Sequence, residues 1–362
     1  MTGSVHPVRA LRLGEALALG HAHSNRNPRF ALGALGGRFV LVCAIGDVEH
    51  PLAQAALAAA PGAPADETEK LLAIFSADPR ASTQIEVLRK RRLVFTDAEM
   101  AHKFGLIDPL EPAGRWLLLD PTLRVLGLWP LQNSADALQA LASAPDPSLH
   151  AGEETPAPVL VAPRIFEPEF CTRLIAYYRA RGGEASGVTQ QDSSGRTFVT
   201  LDDAFKRRHD CLIEDAQVRD AIMHWIYWRL APMIERAFMW RPTRMERYLI
   251  ACYDAQSGGF FKPHRDNSTP GTAHRRFALT INLNAEDYEG GDLRFPEFGA
   301  RTYRAPTGGA VVFSCSLLHE ATPVTQGKRY AFLPFLYDDA AAKLREANNK
   351  YLDESIPPYT DR

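Results

Sequence analysis

The segment Tyr253 to Ser268, YDAQSGGFFKPHRDNS, is the richest in side chains that can hold a metal. His264 and Asp266 stand two residues apart. On a strand, positions i and i+2 share a face, so imidazole and carboxylate can converge on one ion. His319 follows far downstream, near the end of the strand-like run AVVFSCSLLH. Two His and one carboxylate form the facial set that suits Fe(II), leaving three positions for an organic chelator and O2. Ten residues beyond His319 stands Arg329, in TPVTQGKRYAFLPF. A guanidinium there can pair in bidentate fashion with the far carboxylate of 2-oxoglutarate while the keto-acid end chelates iron. Alternation makes Arg329 the anchor, because Lys328 would face the other side of the same strand. A lone His-x-Asp occurs by chance; the order, spacing and strand context of all four residues together are what carry specificity.

Other polar groups read as structural. His274 falls in the loop after the metal-binding strand, and His209 and His224 fall in or before a helix. His21 and His23 have no carboxylate nearby in sequence. The basic runs Lys206, Arg207, Arg208, His209 and Arg89 to Arg92 read as solvated faces. A formal net charge of -2 gives no global argument for nucleic acid. The five cysteines, Cys43, Cys171, Cys211, Cys252 and Cys315, form no C-x-x-C pair and are odd in number, against a disulfide framework or structural zinc. Buried free thiols suit a reducing cytoplasm. The N-terminus lacks the layout of a signal peptide, and no apolar run approaches the ~20 residues of a membrane span.

The elements that must position these groups divide the 362 residues in two. Hydrophobic residues are 46% of the chain, enough for a core in each part. The first half alternates strand candidates (38–44, 71–75, 93–95, 115–119, 123–128) with helical stretches such as Leu52 to Ala60, which implies an α/β layer fold. Ser143 to Pro158, SAPDPSLHAGEETPAP, is polar and Pro-rich and reads as a linker. After it comes a short strand, VLVAPRIF, and an amphipathic helix with Phe170, Leu174, Ile175 and Tyr178 on one face. A second long helix, Asp215 to Phe238, has Asp215 as N-cap and a kink or break at Pro232, with Trp225 and Trp228 as packing residues. Beyond Pro242 short strands with Gly, Asp, Asn and Pro between them indicate a double-sheet jelly roll.

Two resemblances follow from these phrasings. In the first half, GALGGRFVLV, FSADP, VFTDAEMAHKFGL and RWLLLDPTLRVLGLWP resemble a peroxiredoxin-type thioredoxin fold over roughly residues 10–142. That family places a peroxidatic Cys soon after the first core strand, where this chain reads AIGDVEHPLAQ; Cys43 lies within the strand itself. A non-catalytic domain is the expectation, and a thiol peroxidase the alternative it disfavours.

In the second half, CYDAQSGGFFKPHRDNS, LNAEDYEGGDLRFPE and LHEATPVTQGKRYAFLPFLYD, within 159–338, resemble the prolyl 4-hydroxylase branch of the Fe(II)/2-oxoglutarate oxygenases. The resemblance implies Fe(II), 2-oxoglutarate and O2, and admits ascorbate. It implies hydroxylation of an aliphatic C–H, on a prolyl or other peptide side chain, or alternatively on a free amino acid or small metabolite. A non-catalytic binding protein is a third reading. By resemblance Tyr253 lies beside the co-substrate, Gly258 and Gly259 shape the turn before the metal strand, and Gly290 and Gly291 lead to Asp292, a turn residue. Where relatives use Tyr or Thr near the co-substrate, FALTINLN offers Thr280 and Asn282. Arg265, within the metal motif, should point away from the metal. The polar stretch Val188 to Phe205 reads as an unanchored loop, and resemblance sets it at the rim of the site. The domains expected are 1–142 (thioredoxin-like α/β), 143–158 (linker) and 159–362 (double-stranded β-helix with supporting helices), in a cytoplasmic protein with a peptide or small-molecule substrate and neither nucleic acid nor membrane as partner.

Overall fold

In the computed structural model the described residues are 9–60, 67–80, 83–192, 194–354 and 356–360. They form two compact units, 1–155 with 296–299, and 156–295 with 300–362.

The first unit is built on a five-stranded mixed sheet. Its order is Leu93–Thr96, Lys70–Ser76, Phe39–Ile45, Gly114–Leu119, Val125–Pro130. The first three run parallel, Gly114–Leu119 is antiparallel to the central strand Phe39–Ile45, and Val125–Pro130 is antiparallel to Gly114–Leu119. The central strand FVLVCAI is buried throughout because both faces are covered, which is why its sequence is a continuous apolar run. Val40, Val42 and Ala44 pack on one side, and Phe39, Leu41, Cys43 and Ile45 on the other, against the helices Pro51–Ala59 and Ser134–Ala142. Cys43 is fully buried, and burial pushes its thiol far above the ordinary range.

The second unit contains two antiparallel sheets. The larger runs Arg244–Glu246, Phe335–Tyr337, Phe277–Asn282, Val324–Phe332, Leu249–Asp254, His209–Leu212, Glu184–Ala185, with Ala310–Ser314 and Leu160–Ala162 added beside Phe277–Asn282. The smaller runs Lys206–Arg207, Phe260–His264, His319–Ala321, Leu293–Arg294, Thr302–Tyr303. Residues of both sheets line one pocket, as a double-sheet arrangement requires. Alternation sorts the side chains of the larger sheet. Ile250, Cys252, Ile281, Tyr330 and Phe332 face a helical layer, while Tyr253, Thr280 and Arg329 face the pocket.

That layer is the helix Pro168–Arg181 and the long helix after Asp215. Pro168 opens the first in a position where its missing N–H costs nothing. Asp215 caps the second by accepting from the Gln217 and Val218 amides. Its apolar stripe, Ile222, Ile226, Leu230 and Ile234, packs on the sheet. The expected break at Pro232 takes a specific form: α-helix over Ala216–Trp225, a π turn over Ile226–Leu230, and α-helix again over Ala231–Phe238. Proline cannot donate to the carbonyl four residues back, and the preceding turn widens.

Two local expectations are corrected. Trp228 does not join the core; it is 65% exposed and meets only the Tyr227 ring edge-on among the described ring contacts, while Trp225 packs against the core. The 188–205 stretch is not a free loop: Val188–Gln191 and Thr197–Thr200 form an antiparallel hairpin, with Ser193 outside the described residues. Thr197 anchors it, its hydroxyl accepting from the Gly271 amide and its carbonyl from the Asp353 amide. Within the stretch read as linker, Pro147–Leu149 forms a 3-10 turn. Among the described residues, no helix is long and apolar enough to cross a membrane.

Candidate active site

Antiparallel pairing sets His264 directly opposite His319 in the smaller sheet, after an irregularity in register beyond Phe261. The rings meet with centroids 4.3 Å apart. Asp266 closes the group from the turn that follows the strand Phe260–His264, so the pair is not carried on one continuous strand as alternation suggested. That turn is held where the Asp266 amide donates to the Cys315 carbonyl at 3.0 Å. His319 likewise begins its own strand. The run AVVFS belongs to the larger sheet, and the chain changes sheets between Ser314 and His319.

The ligand atoms of His264, Asp266 and His319 lie within 4.8 Å of one another. His264 Nε2 is 3.5 Å and His319 Nε2 3.2 Å from the two carboxylate oxygens of Asp266. Each ring is oriented from behind: His264 Nδ1 donates to the Lys262 carbonyl (2.8 Å) and His319 Nδ1 to the Leu317 carbonyl (3.0 Å). These bonds fix the tautomer that leaves Nε2 as a free donor of electrons to a metal. Phe261 stacks on His264 and Phe313 packs on His319. Burial, then the neighbouring His319, pulls the His264 imidazole down to about 4, so it stays neutral. Burial works against the Asp266 carboxylate, but the two imidazoles outweigh it and hold its pKa well below the ordinary value. A donor set of two imidazoles and one carboxylate fits a divalent ion of the iron type.

Arg329 is 2% exposed and lines the same pocket. Its register partner is Tyr253, and its guanidinium lies 5.0 Å over the Tyr253 ring. Among the described residues its Nε and Nη1 have no hydrogen-bond partner. A buried guanidinium with two idle donors is costly unless an anion completes it, which fits a co-substrate carboxylate. Lys328, one residue back, faces away and pairs with Asp254 at 2.7 Å.

The remaining expected residues divide. Tyr253 and Thr280 line the pocket; Asn282 does not. Asn282 sits at the end of its strand, with its amide donating to the Ala305 carbonyl at 2.7 Å, so sharing a face with Thr280 did not bring it to the site. Asp292 pairs with Arg304, as a turn residue should, and Arg265 bonds the Ser316 carbonyl. Gly258 and Gly290 have positive φ (64° and 68°), as their turns require. His274 is buried 3.2 Å from Glu246.

Sequence reasoning missed Arg208 and Arg247, both of which line the pocket. The run Lys206 to His209 was read as one solvated face. Instead Lys206 and Arg208 are buried, 4% and 6% exposed, while Arg207 and His209 are outside. The chain leaves the smaller sheet at Arg207 and enters the larger at His209, which turns Arg208 inward. Alternation within a polar run was the available signal.

With this geometry in hand, residues 248–337 match the 2OG-Fe(II) oxygenase superfamily, a span that includes all four residues first singled out. Similar proteins include a PKHD-type hydroxylase of Synechococcus sp. (strain JA-2-3B'a(2-13)), 35% identical over 97 residues. A PKHD-type hydroxylase of Pseudomonas fluorescens is 41% identical over 98 residues. Each match covers 25% of this chain and 42% of the relative, so the chain spans under half the length of these relatives. Among solved structures, a Pseudomonas putida prolyl-4-hydroxylase is similar at 18% identity and a TM-score of 0.38, covering 50% of this chain and 93% of that one. A prolyl hydroxylase from Trichoplax adhaerens, in complex with a hypoxia inducible factor peptide fragment, is similar at 16% identity and a TM-score of 0.39, covering 55% and 88%.

Proposed function

We propose that the second unit is an Fe(II)- and 2-oxoglutarate-dependent dioxygenase that hydroxylates an aliphatic C–H. One observation carries the reading: three metal donors within 4.8 Å share a pocket with a buried guanidinium that has two idle donors. The superfamily match over 248–337 supports it. His264, Asp266 and His319 would hold the iron. Arg329 would take the far carboxylate of 2-oxoglutarate, beside Tyr253 and Thr280. Bound iron with 2-oxoglutarate and O2 supplies the oxidising power, so that substrate C–H, 2-oxoglutarate and O2 become C–OH, succinate and CO2.

The protein's own contribution is placement and exclusion of water. Lys262 and Leu317 carbonyls hold the imidazoles, and Phe261, Leu293, Phe313, Leu333 and Phe335 wall the pocket with apolar surface. Peptidyl and free amino-acid substrates are both compatible with relatives named hydroxylases, and ascorbate is a proposed reductant. The mixed sheet of the first unit supports reading it as thioredoxin-like. All five cysteines are buried, which gives a thiol peroxidase no accessible thiolate.

The test is anaerobic titration of the full chain with Fe(II) and then 2-oxoglutarate, followed by admission of O2 and measurement of succinate. Iron-dependent succinate release is expected. A protein that binds neither iron nor 2-oxoglutarate would make the non-catalytic reading correct.

A further inference from the structure

Three guanidiniums line this pocket, Arg208, Arg247 and Arg329, and Asp266 is the only acid among the lining residues. Arg329 is assigned above. Arg208 is satisfied within the protein. It forms two 2.7 Å bonds to the carboxylate of Asp210, one of 3.0 Å to Ser186 and a long one of 3.4 Å to the Tyr253 hydroxyl. That fork uses both oxygens of Asp210, one of which also accepts from Ser186.

Arg247 is left over. Among the described residues its one hydrogen bond is a 3.3 Å approach to the already occupied Asp210 Oδ2. Two guanidiniums on one carboxylate leave a net positive charge at the pocket wall.

The backbone supports the same conclusion. Arg247 has φ 67°, a left-handed conformation that a large side chain adopts only when its surroundings force it. The neighbours do so. Glu246 is buried and held by Arg275 (2.7 Å), Arg345 (2.6 Å) and His274 (3.2 Å), while Tyr248 packs on the helical layer. The strand is interrupted between Glu246 and Leu249, and the residue at the break lines the pocket. Beyond the approach to Asp210, the Arg247 guanidinium lies 5.5 Å over the ring of Phe335, another pocket-lining residue.

We infer that the substrate presents a carboxylate to Arg247, with its aliphatic body on the wall of Phe335, Pro334 and Leu333. This rests on the oxygenase reading above and names its substrate class: a small carboxylic acid of amino-acid size, or a peptide's terminal carboxylate, rather than an internal residue of a chain. The space of the pocket and its open mouth together is about 490 Å³, and it must also admit 2-oxoglutarate.

The test uses the full chain loaded anaerobically with Fe(II) and 2-oxoglutarate. It is titrated with the twenty free L-amino acids, their amides, and the glycyl dipeptides ending in them. The readouts are perturbation of the visible charge-transfer band and, in air, succinate release. At least one acid should act, and its amide should be at least tenfold weaker. The matching dipeptide decides whether the carboxylate is a free amino acid's or a peptide terminus. In Arg247→Gln, half-saturation by that acid should rise at least tenfold while the 2-oxoglutarate requirement moves less than twofold, and Arg247→Lys should recover part of the loss. An amide as effective as its acid, or no active acid on a protein that shows the charge-transfer band, overturns the inference. Equal shifts for acid and 2-oxoglutarate would assign Arg247 to the co-substrate and also overturn it. Absence of the band in the unmodified protein is a different failure, that of the iron reading itself.

Discussion

His264, Asp266 and His319 have no substitute among the described residues, where they form the one cluster able to hold a metal. His264→Ala, Asp266→Ala and His319→Ala should each reduce succinate formation at least about 100-fold while circular dichroism stays unchanged, since each removes one of three donors. Two variants that retain turnover would disprove the assignment. Arg329→Ala should raise the 2-oxoglutarate concentration for half-saturation about tenfold or more, the scale of a sheltered charge-assisted pair. Lys328→Ala should move it less than twofold, because Lys328 pairs with Asp254 on the outer face. Titration of both variants checks the ranking. The reverse order would mean that the strand register is off by one. That these four residues share one pocket was legible because metal ligation and carboxylate pairing, the proposed roles, demand particular side chains at particular spacings. Asn282 was misleading because its face was right but its position, at the end of the strand, was wrong. Arg247 was invisible, since a left-handed backbone at an arginine leaves no mark in sequence.

Periodicity located most elements, and residue type located their ends. The stripe Ile222, Ile226, Leu230, Ile234 announced a helix, Asp215 its start and Pro232 its fault, though not the π turn by which the fault is absorbed. Asp215→Ala should cost about 1 kcal/mol of stability, the usual worth of such a cap, with the 2-oxoglutarate requirement untouched; chemical denaturation and a co-substrate titration check both parts. Gly291 tests a different link, from turn to site. It has φ 68°, and a Cβ there would meet Val324 Cγ2 at 2.7 Å and Arg329 Cδ at 3.3 Å. Gly291→Ala should therefore cost about 1–3 kcal/mol through backbone strain and also weaken 2-oxoglutarate binding, because the side chain it presses on is the anchor. A stability loss without any shift in co-substrate binding would show that Arg329 is positioned independently of this hairpin. The 188–200 hairpin escaped sequence reading for a physical reason: TQQ and its polar neighbours carry little apolar alternation, and the pairing is secured instead by backbone bonds and by Thr197.

At the scale of the molecule, the change from alternating strands and helices to short strands divided by turns reported two architectures, and each unit proves to have its own buried clusters. One side of the first sheet gathers Val40, Val42, Phe75 and Leu117, and the other Leu41, Ile74 and Trp116. The second unit gathers Phe166, Leu230, Ile250, Ile281 and Phe332 beneath its helices. Burying a side chain of that size contributes roughly 1.5–3 kcal/mol, and a cluster of such residues contained in one unit is the mark of a core that belongs to that unit. A fragment of residues 156–362 should therefore fold, melt cooperatively and bind Fe(II) with the affinity of the full chain, because every side chain of the pocket lies within it. Thermal denaturation and anaerobic iron titration of that fragment are the measurements. Aggregation, or a broad non-cooperative melt, would show that the second core is incomplete by itself. Cooperative folding with iron binding lost would show instead that the donor geometry depends on residues outside the fragment.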